Sequence, residues 1–128
     1  MESYLNDLFQ TAKTAGKSAY SPYSKFCVGA AVITKSNKIF TGCNIENASY
    51  AATICAERTA IFKAVSEGET DFRAIAIYVD SHKLFPPCGI CRQVMSEFSS
   101  DMIVVYGNDH KIVETDIQTL LPESFSLT

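Results

Sequence analysis

No apolar run in this chain is long enough to cross a membrane as a helix. Positive charge is sparse as well. Eleven Lys and Arg against fourteen Asp and Glu leave a net charge of −3, and the basic residues are scattered rather than striped. That balance lacks the electrostatic footprint of a nucleic-acid binder, so a small-molecule substrate is favoured over a polyanion. Residues Met1 to Asp7 carry no basic segment ahead of an apolar core, so no secretory signal is expected. Five cysteines are an odd number, and a chain of 128 residues has no need of disulfide staples, which points to a reducing, cytoplasmic setting. Internal repeats, low-complexity stretches and domain boundaries are also missing. With 47% hydrophobic and 20% charged residues, residues 1–128 read as one soluble globular domain.

Periodicity supplies the elements. Leu5, Leu8, Phe9, Ala12, Ala15 and Ala19 recur at helical spacing, predicting an amphipathic helix from residue 3 to about 19, broken by Ser21-Pro22-Tyr23-Ser24. Phe26 to Thr34 and Ile39 to Cys43 read as a hairpin around the turn Lys35-Ser36-Asn37-Lys38. Asn44 to Thr53 is a loop too polar to be mere linker. A helix opens at Cys55 and stops near Gly68, Phe72 to Val79 is a buried strand, and a second helix begins near Cys88. Met102 to Tyr106 and Lys111 to Thr115 read as strands, and Asp116 to Leu121 as a short helix ended by Pro122. Strands alternating with helices in this order predict an α/β protein, a sheet held between helical layers.

Cys55-Ala56-Glu57 and Pro87-Cys88-Gly89-Ile90-Cys91 carry the chemistry. Each opens a predicted helix, where unpaired N–H groups favour the thiolate that binds metal. Cys88 and Cys91 are three apart, neighbours on one turn, and Pro87 suits the entry to that helix. Three soft ligands would hold zinc and leave its fourth position open, as in catalytic sites. Glu57 beside that position could take and return a proton. Three thiolates on Zn²⁺ leave one net negative charge, a poor activator of water. Arg58, next to Glu57, is therefore a candidate to hydrogen-bond the thiolates, and Arg92, next to Cys91, is a second.

These motifs resemble those of the small, homotetrameric cytidine deaminases. The likeness runs from Ser21-Pro22-Tyr23-Ser24-Lys25-Phe26 through Gly42-Cys43-Asn44-Ile45-Glu46-Asn47-Ala48-Ser49-Tyr50 and Cys55-Ala56-Glu57-Arg58-Thr59-Ala60. It continues over Pro87-Cys88-Gly89-Ile90-Cys91-Arg92-Gln93 to Leu120-Leu121-Pro122. The resemblance implies a three-layer α/β/α sandwich around a mixed β-sheet, with one zinc per subunit on Cys55, Cys88 and Cys91. It implies hydrolytic deamination of cytidine and 2′-deoxycytidine at C4 by zinc-activated water, in pyrimidine salvage, with Glu57 shuttling the proton. Asn44 and Glu46 would bind the ribose, Phe26 would pack on the pyrimidine, and the backbone near Ala56 would read the base edge. Ala48, Tyr50 and Phe125 would complete a neighbouring subunit's pocket in a homotetramer.

Weaker readings stand beside these. Cys88-Gly89-Ile90-Cys91 alone would suit a thiol–disulfide exchanger, but such a pair has no use for a third thiol and a glutamate. A structural zinc site would need a fourth ligand from Cys27, Cys43, His82 or His110. Cys27 and Cys43 fit better as small buried hydrophobes, and the two histidines as solvated loop residues. A deaminase for a cytosine-containing antibiotic would depart from the Asn44-x-Glu46 pattern, and one for nucleotides would need a cationic cluster that is missing.

Overall fold

The computed structural model describes all residues, 1–128. Helix α1 (Ser3–Ala15) is followed by strands β1 (Val28–Thr34) and β2 (Ile39–Cys43), then helix α2 (Ala56–Ser66) and strand β3 (Phe72–Val79). Helix α3 (Gly89–Phe98), strands β4 (Ile103–Gly107) and β5 (Ile112–Asp116), and the short helix α4 (Ile117–Leu120) complete the chain. The strands lie in the order β2-β1-β3-β4-β5. Only β3 and β4 run parallel, joined by the α3 crossover, so the sheet is mixed.

Strand alternation explains the layers. Ala30, Val32, Ile75, Ile77 and Val104 face α2 and α3 in one core. Ala31, Ile33, Ala74, Ala76 and Val105 face Leu5, Leu8, Phe9 and Ala12 of α1 in the other. The Ala-Ile-Ala-Ile run of β3 thus divides by the two-residue period of a strand. Both faces of β1 and β3 are covered, which is why their sequences read as continuous apolar runs. The expected three-layer α/β/α sandwich is the fold found.

Two boundaries differ from expectation. The first helix ends at Ala15 and tightens into a 3₁₀ turn, Gly16–Ser18, where Gly16 lies against the backbone of Gly29. The first strand begins at Val28 rather than Phe26, whose ring is left exposed instead of entering the core.

One close approach positions the site. A Cβ placed on Gly42 of β2 would sit 2.5 Å from both the Ala56 carbonyl oxygen and the Ala60 nitrogen. The first turns of α2 therefore rest directly on the β2 backbone. At the other end of α2, Gly68 adopts φ +88°, the left-handed conformation that stops the helix.

Candidate active site

Cys55 and Cys88 each occupy the residue before a helix, with extended backbone, heading α2 and α3. Their carbonyls accept the first helical bonds, from Thr59 N at 3.1 Å and Arg92 N at 2.9 Å. Cys91 lies one turn into α3 and is buried. The three sulfurs all fall within 4.8 Å of one another, and Cys55 and Cys88 Sγ are 4.0 Å apart. Tetrahedral zinc with bonds of about 2.3 Å needs sulfurs about 3.8 Å apart, so the cluster fits the ion with a small contraction. His82 stacks on His110 instead (centroids 6.0 Å apart), and no fourth protein ligand joins the sulfurs.

Charge is arranged around the cluster. Arg58 lies three residues beyond Cys55 on the same helical face, and its Nη2 donates to Cys55 Sγ at 3.4 Å. A hydrogen bond from Cys91 and the Arg58 guanidinium bring the Cys55 thiol down to about 5. The Cys91 thiol, which donates that bond and is buried, is pushed up. Arg58 Nε is buried without a hydrogen-bond partner. Arg92 does not share this role. Its Nε donates to Pro87 O at 2.7 Å and its Nη1 to Leu120 O at 3.0 Å, so it braces the entry to Cys88 against the end of α4.

Glu57 is 5% exposed. Burial, reinforced by the negative charge of Cys55, raises its carboxyl to about 7. It shares a cavity of about 340 Å³ with Cys55, Cys88 and Ala56, while Cys91 lies outside the lining. This cavity is in the size range of small-molecule sites and lies beyond the carboxyl end of β3, where open α/β sheets bind ligands.

The polar loop after β2 forms another wall. Asn44 is buried. Its Nδ2 donates to Phe26 O at 2.8 Å, and its Oδ1 accepts from Val28 N at 2.9 Å. Glu46 Oε1 accepts from Tyr23 N at 2.9 Å and Ser24 N at 3.1 Å, and its Oε2 accepts from Ser24 Oγ. These bonds hold its carboxyl below the usual range, chiefly through Ser24. Lys25, between Ser24 and Phe26, takes φ +66°, a strained left-handed turn next to the cavity.

Phe26, Asn44, Glu46, Ala56 and Glu57 thus line one cavity. Ala48, Tyr50 and Phe125 do not join it; all three are exposed. Tyr50 borders a shallow neighbouring hollow with Tyr23, Ser24, Glu46 and Thr53. Phe85 and Pro86 were not expected in the lining. Phe85 packs on Phe26 with centroids 5.4 Å apart, closing the cavity's aromatic side. The run Leu84-Phe85-Pro86-Pro87, apolar in a loop just before a ligand, was the available signal.

Comparison with known proteins agrees with this geometry. Residues 2–107 match the family model described as the cytidine and deoxycytidylate deaminase zinc-binding region. A cytidine deaminase of Sporosarcina psychrophila is 49% identical over 121 residues, covering 93% of this chain and 89% of the relative. A blasticidin-S deaminase of Bacillus cereus is 36% identical over 111 residues, covering 80% of this chain and 79% of that one. The crystal structure of cytidine deaminase from Burkholderia pseudomallei superposes with a TM-score of 0.90 at 44% identity, covering 98% of this chain and all of that one. With three sulfurs clustered so that they could hold a metal ion, the chain belongs to the cytidine and deoxycytidylate deaminase family, whose model is a zinc-binding region.

Proposed function

We propose that this protein hydrolyses cytidine and 2′-deoxycytidine to uridine and 2′-deoxyuridine with release of ammonia, as an enzyme of pyrimidine salvage. The observation that carries the reading is the buried Glu57 carboxyl beside three clustered thiols, in a cavity walled by Phe26, Asn44 and Glu46. Cys55, Cys88 and Cys91 would hold a zinc ion, which would supply the Lewis acidity that makes water a nucleophile near neutral pH. Glu57 would take one proton from the attacking water and give it to N3 as the C4–O bond forms, then take the remaining proton from the C4 hydroxyl and give it to the amino group as the C4–N bond breaks, ending ionised as it began. Its burial holds the carboxyl against the reacting base, where it can both take and return a proton. Arg58 and the starts of α2 and α3 offset the thiolate charge. Phe26 packs on the base, the backbone at Ala56 reads its edge, and Asn44 and Glu46 meet the sugar hydroxyls. The intact Asn44-x-Glu46 pair and the 49% identity to a cytidine deaminase favour a nucleoside over an antibiotic substrate.

The active assembly in this reading is a homotetramer in which Ala48, Tyr50 and Phe125 complete a neighbour's pocket. Exposed aromatic rings beside the cavity support it: Tyr23 and Tyr50 meet edge to face at 6.4 Å over the adjoining hollow. All five cysteines are free and no helix is long and apolar enough to cross a membrane, which suits a cytoplasmic setting.

Zinc content measured together with a cytidine absorbance assay tests the reading. One zinc per chain with turnover is expected, whereas metal without turnover would mean a structural site and no metal a dithiol exchanger. Glu57→Gln is expected to keep zinc and nucleoside binding while losing orders of magnitude in kcat; near-normal turnover would overturn the role of Glu57.

A further inference from the structure

We propose that Asn108, in the turn between β4 and β5, is a positioning residue for substrate binding: it anchors Ser81–His82 so that Phe85 closes the cavity against Phe26. This rests on the reading of that cavity as the nucleoside site.

Asn108 is 4% exposed and its side-chain amide is fully used. Oδ1 accepts from His110 N at 2.8 Å and Lys111 N at 2.9 Å, which shapes the β4–β5 turn. Nδ2 donates to Ser81 O at 3.0 Å and His82 O at 3.3 Å. The turn needs only the acceptor, and an aspartate would serve it equally well. The two N–H groups are surplus to the turn and go to a different segment, the one leaving β3. The stacked rings of His82 and His110, 6.0 Å apart, join the same two segments a second time.

Beyond that anchor the chain is loosely held. Leu84 and Phe85 make no backbone hydrogen bond, and the next fixed point is Pro87 O on Arg92. Phe85 is 41% exposed and rests on Phe26 alone among the aromatic rings. Its place over the cavity thus depends on where the chain leaves His82. Releasing Ser81 and His82 frees Phe85 to swing away, while the sulfur cluster stays braced independently through Arg92. The expected loss is in substrate binding rather than in chemistry.

The test compares Asn108→Asp, Phe85→Ala and their double mutant as zinc-loaded enzymes. Aspartate keeps the acceptor for the turn and places oxygen against the Ser81 and His82 carbonyls. Asn108→Asp is expected to raise KM for cytidine about tenfold with kcat held within about twofold and zinc content unchanged. The double mutant should bind no worse than Phe85→Ala alone, because one residue acts through the other. A wild-type KM in Asn108→Asp, or effects that multiply in the double mutant, would overturn the proposal. If Asn108→Asp does not fold, the exposed position His82→Ala loosens the same anchor and is read the same way: a KM rise of about threefold that vanishes in the Phe85→Ala background, or refutation if it persists there. Failure of the wild-type enzyme to deaminate cytidine would instead overturn the nucleoside reading itself.

Discussion

Replacing Gly42 with alanine should damage this protein twice, once in stability and once in chemistry. The added Cβ would lie 2.5 Å from the Ala56 oxygen and the Ala60 nitrogen and 2.9 Å from Thr59 Cβ. Two of these three atoms are backbone, so no rotamer change relieves them. Restoring ordinary contact moves α2 outward by about 0.9 Å, the gap between 2.5 Å and the 3.4 Å at which ordinary contact begins. Overpacking of this kind costs about 1–3 kcal/mol, a fall of about 4 °C in Tm for each kcal/mol in a domain of this size. The same displacement carries Cys55, Glu57 and Arg58 together, and an error near 1 Å in a catalytic group costs about a hundredfold in rate. Gly68→Ala is the control. Gly68 has φ +88° but no atom within 4 Å of the added Cβ, so alanine there costs about 1 kcal/mol of backbone strain and leaves α2 seated. Thermal unfolding with kcat/KM and zinc content separates the two. Gly42→Ala should lose both stability and turnover, Gly68→Ala stability alone. Equal turnover losses in the two variants, or wild-type behaviour of Gly42→Ala, would refute the claim that this contact seats the site.

Arg58→Ala should weaken zinc retention and turnover by about 10- to 100-fold, read by chelator competition and steady-state kinetics; if both stay unchanged, the charge-offsetting role is wrong. Glu46→Gln should raise KM for cytidine, and Ser24→Ala should do so more weakly because it loosens Glu46 while leaving its carboxylate in place; a Ser24→Ala enzyme with wild-type KM would show that Glu46 does not depend on Ser24 for its position. The native enzyme should sediment at four times the chain mass, and an active monomer would remove the shared-pocket proposal.

The helix starts at Cys55 and Cys88 were legible because proline, the flanking apolar stripe and the stop at Gly68 act locally. The two arginines show where such legibility ends. Both follow a cysteine ligand closely, and adjacency alone made both candidates for the thiolates. Helical spacing does not separate them, since Arg58 is three beyond Cys55 and Arg92 four beyond Cys88; Arg58 turns back to the Cys55 sulfur. Arg92 is held instead by the Pro87 and Leu120 carbonyls. Its partner at Leu120 is 28 residues away, a pairing set by tertiary packing that no local pattern encodes. Strand order was hidden for the same reason. The hairpin β1–β2 follows from a short turn, but the insertion of β1 between β2 and β3 depends on which faces the helices cover.

Asn44 and Glu46 bring the two kinds of information together. A polar loop after a strand invites a choice between groups that hold the chain and groups that meet a substrate. Glu46 spends three of its carboxylate's roughly four acceptor positions on Tyr23 and Ser24, leaving one on Oε2. Asn44 spends one N–H and one lone pair on the backbone around Cys27, leaving one of each. Under the proposed function, those residual positions are what a ribose hydroxyl would meet, already fixed in direction before it arrives. The bonds that order the loop therefore lower the entropy cost of binding, and the two roles reinforce each other. The same bonds keep Glu46 ionised, so it can only accept, and a sugar hydroxyl can donate to it. An analogue lacking that hydroxyl would leave a charged acceptor facing the cavity with its last lone pair unmet. That converts a loop-ordering contact into a test of whether a sugar hydroxyl is there at all, one that ribose and deoxyribose can both pass.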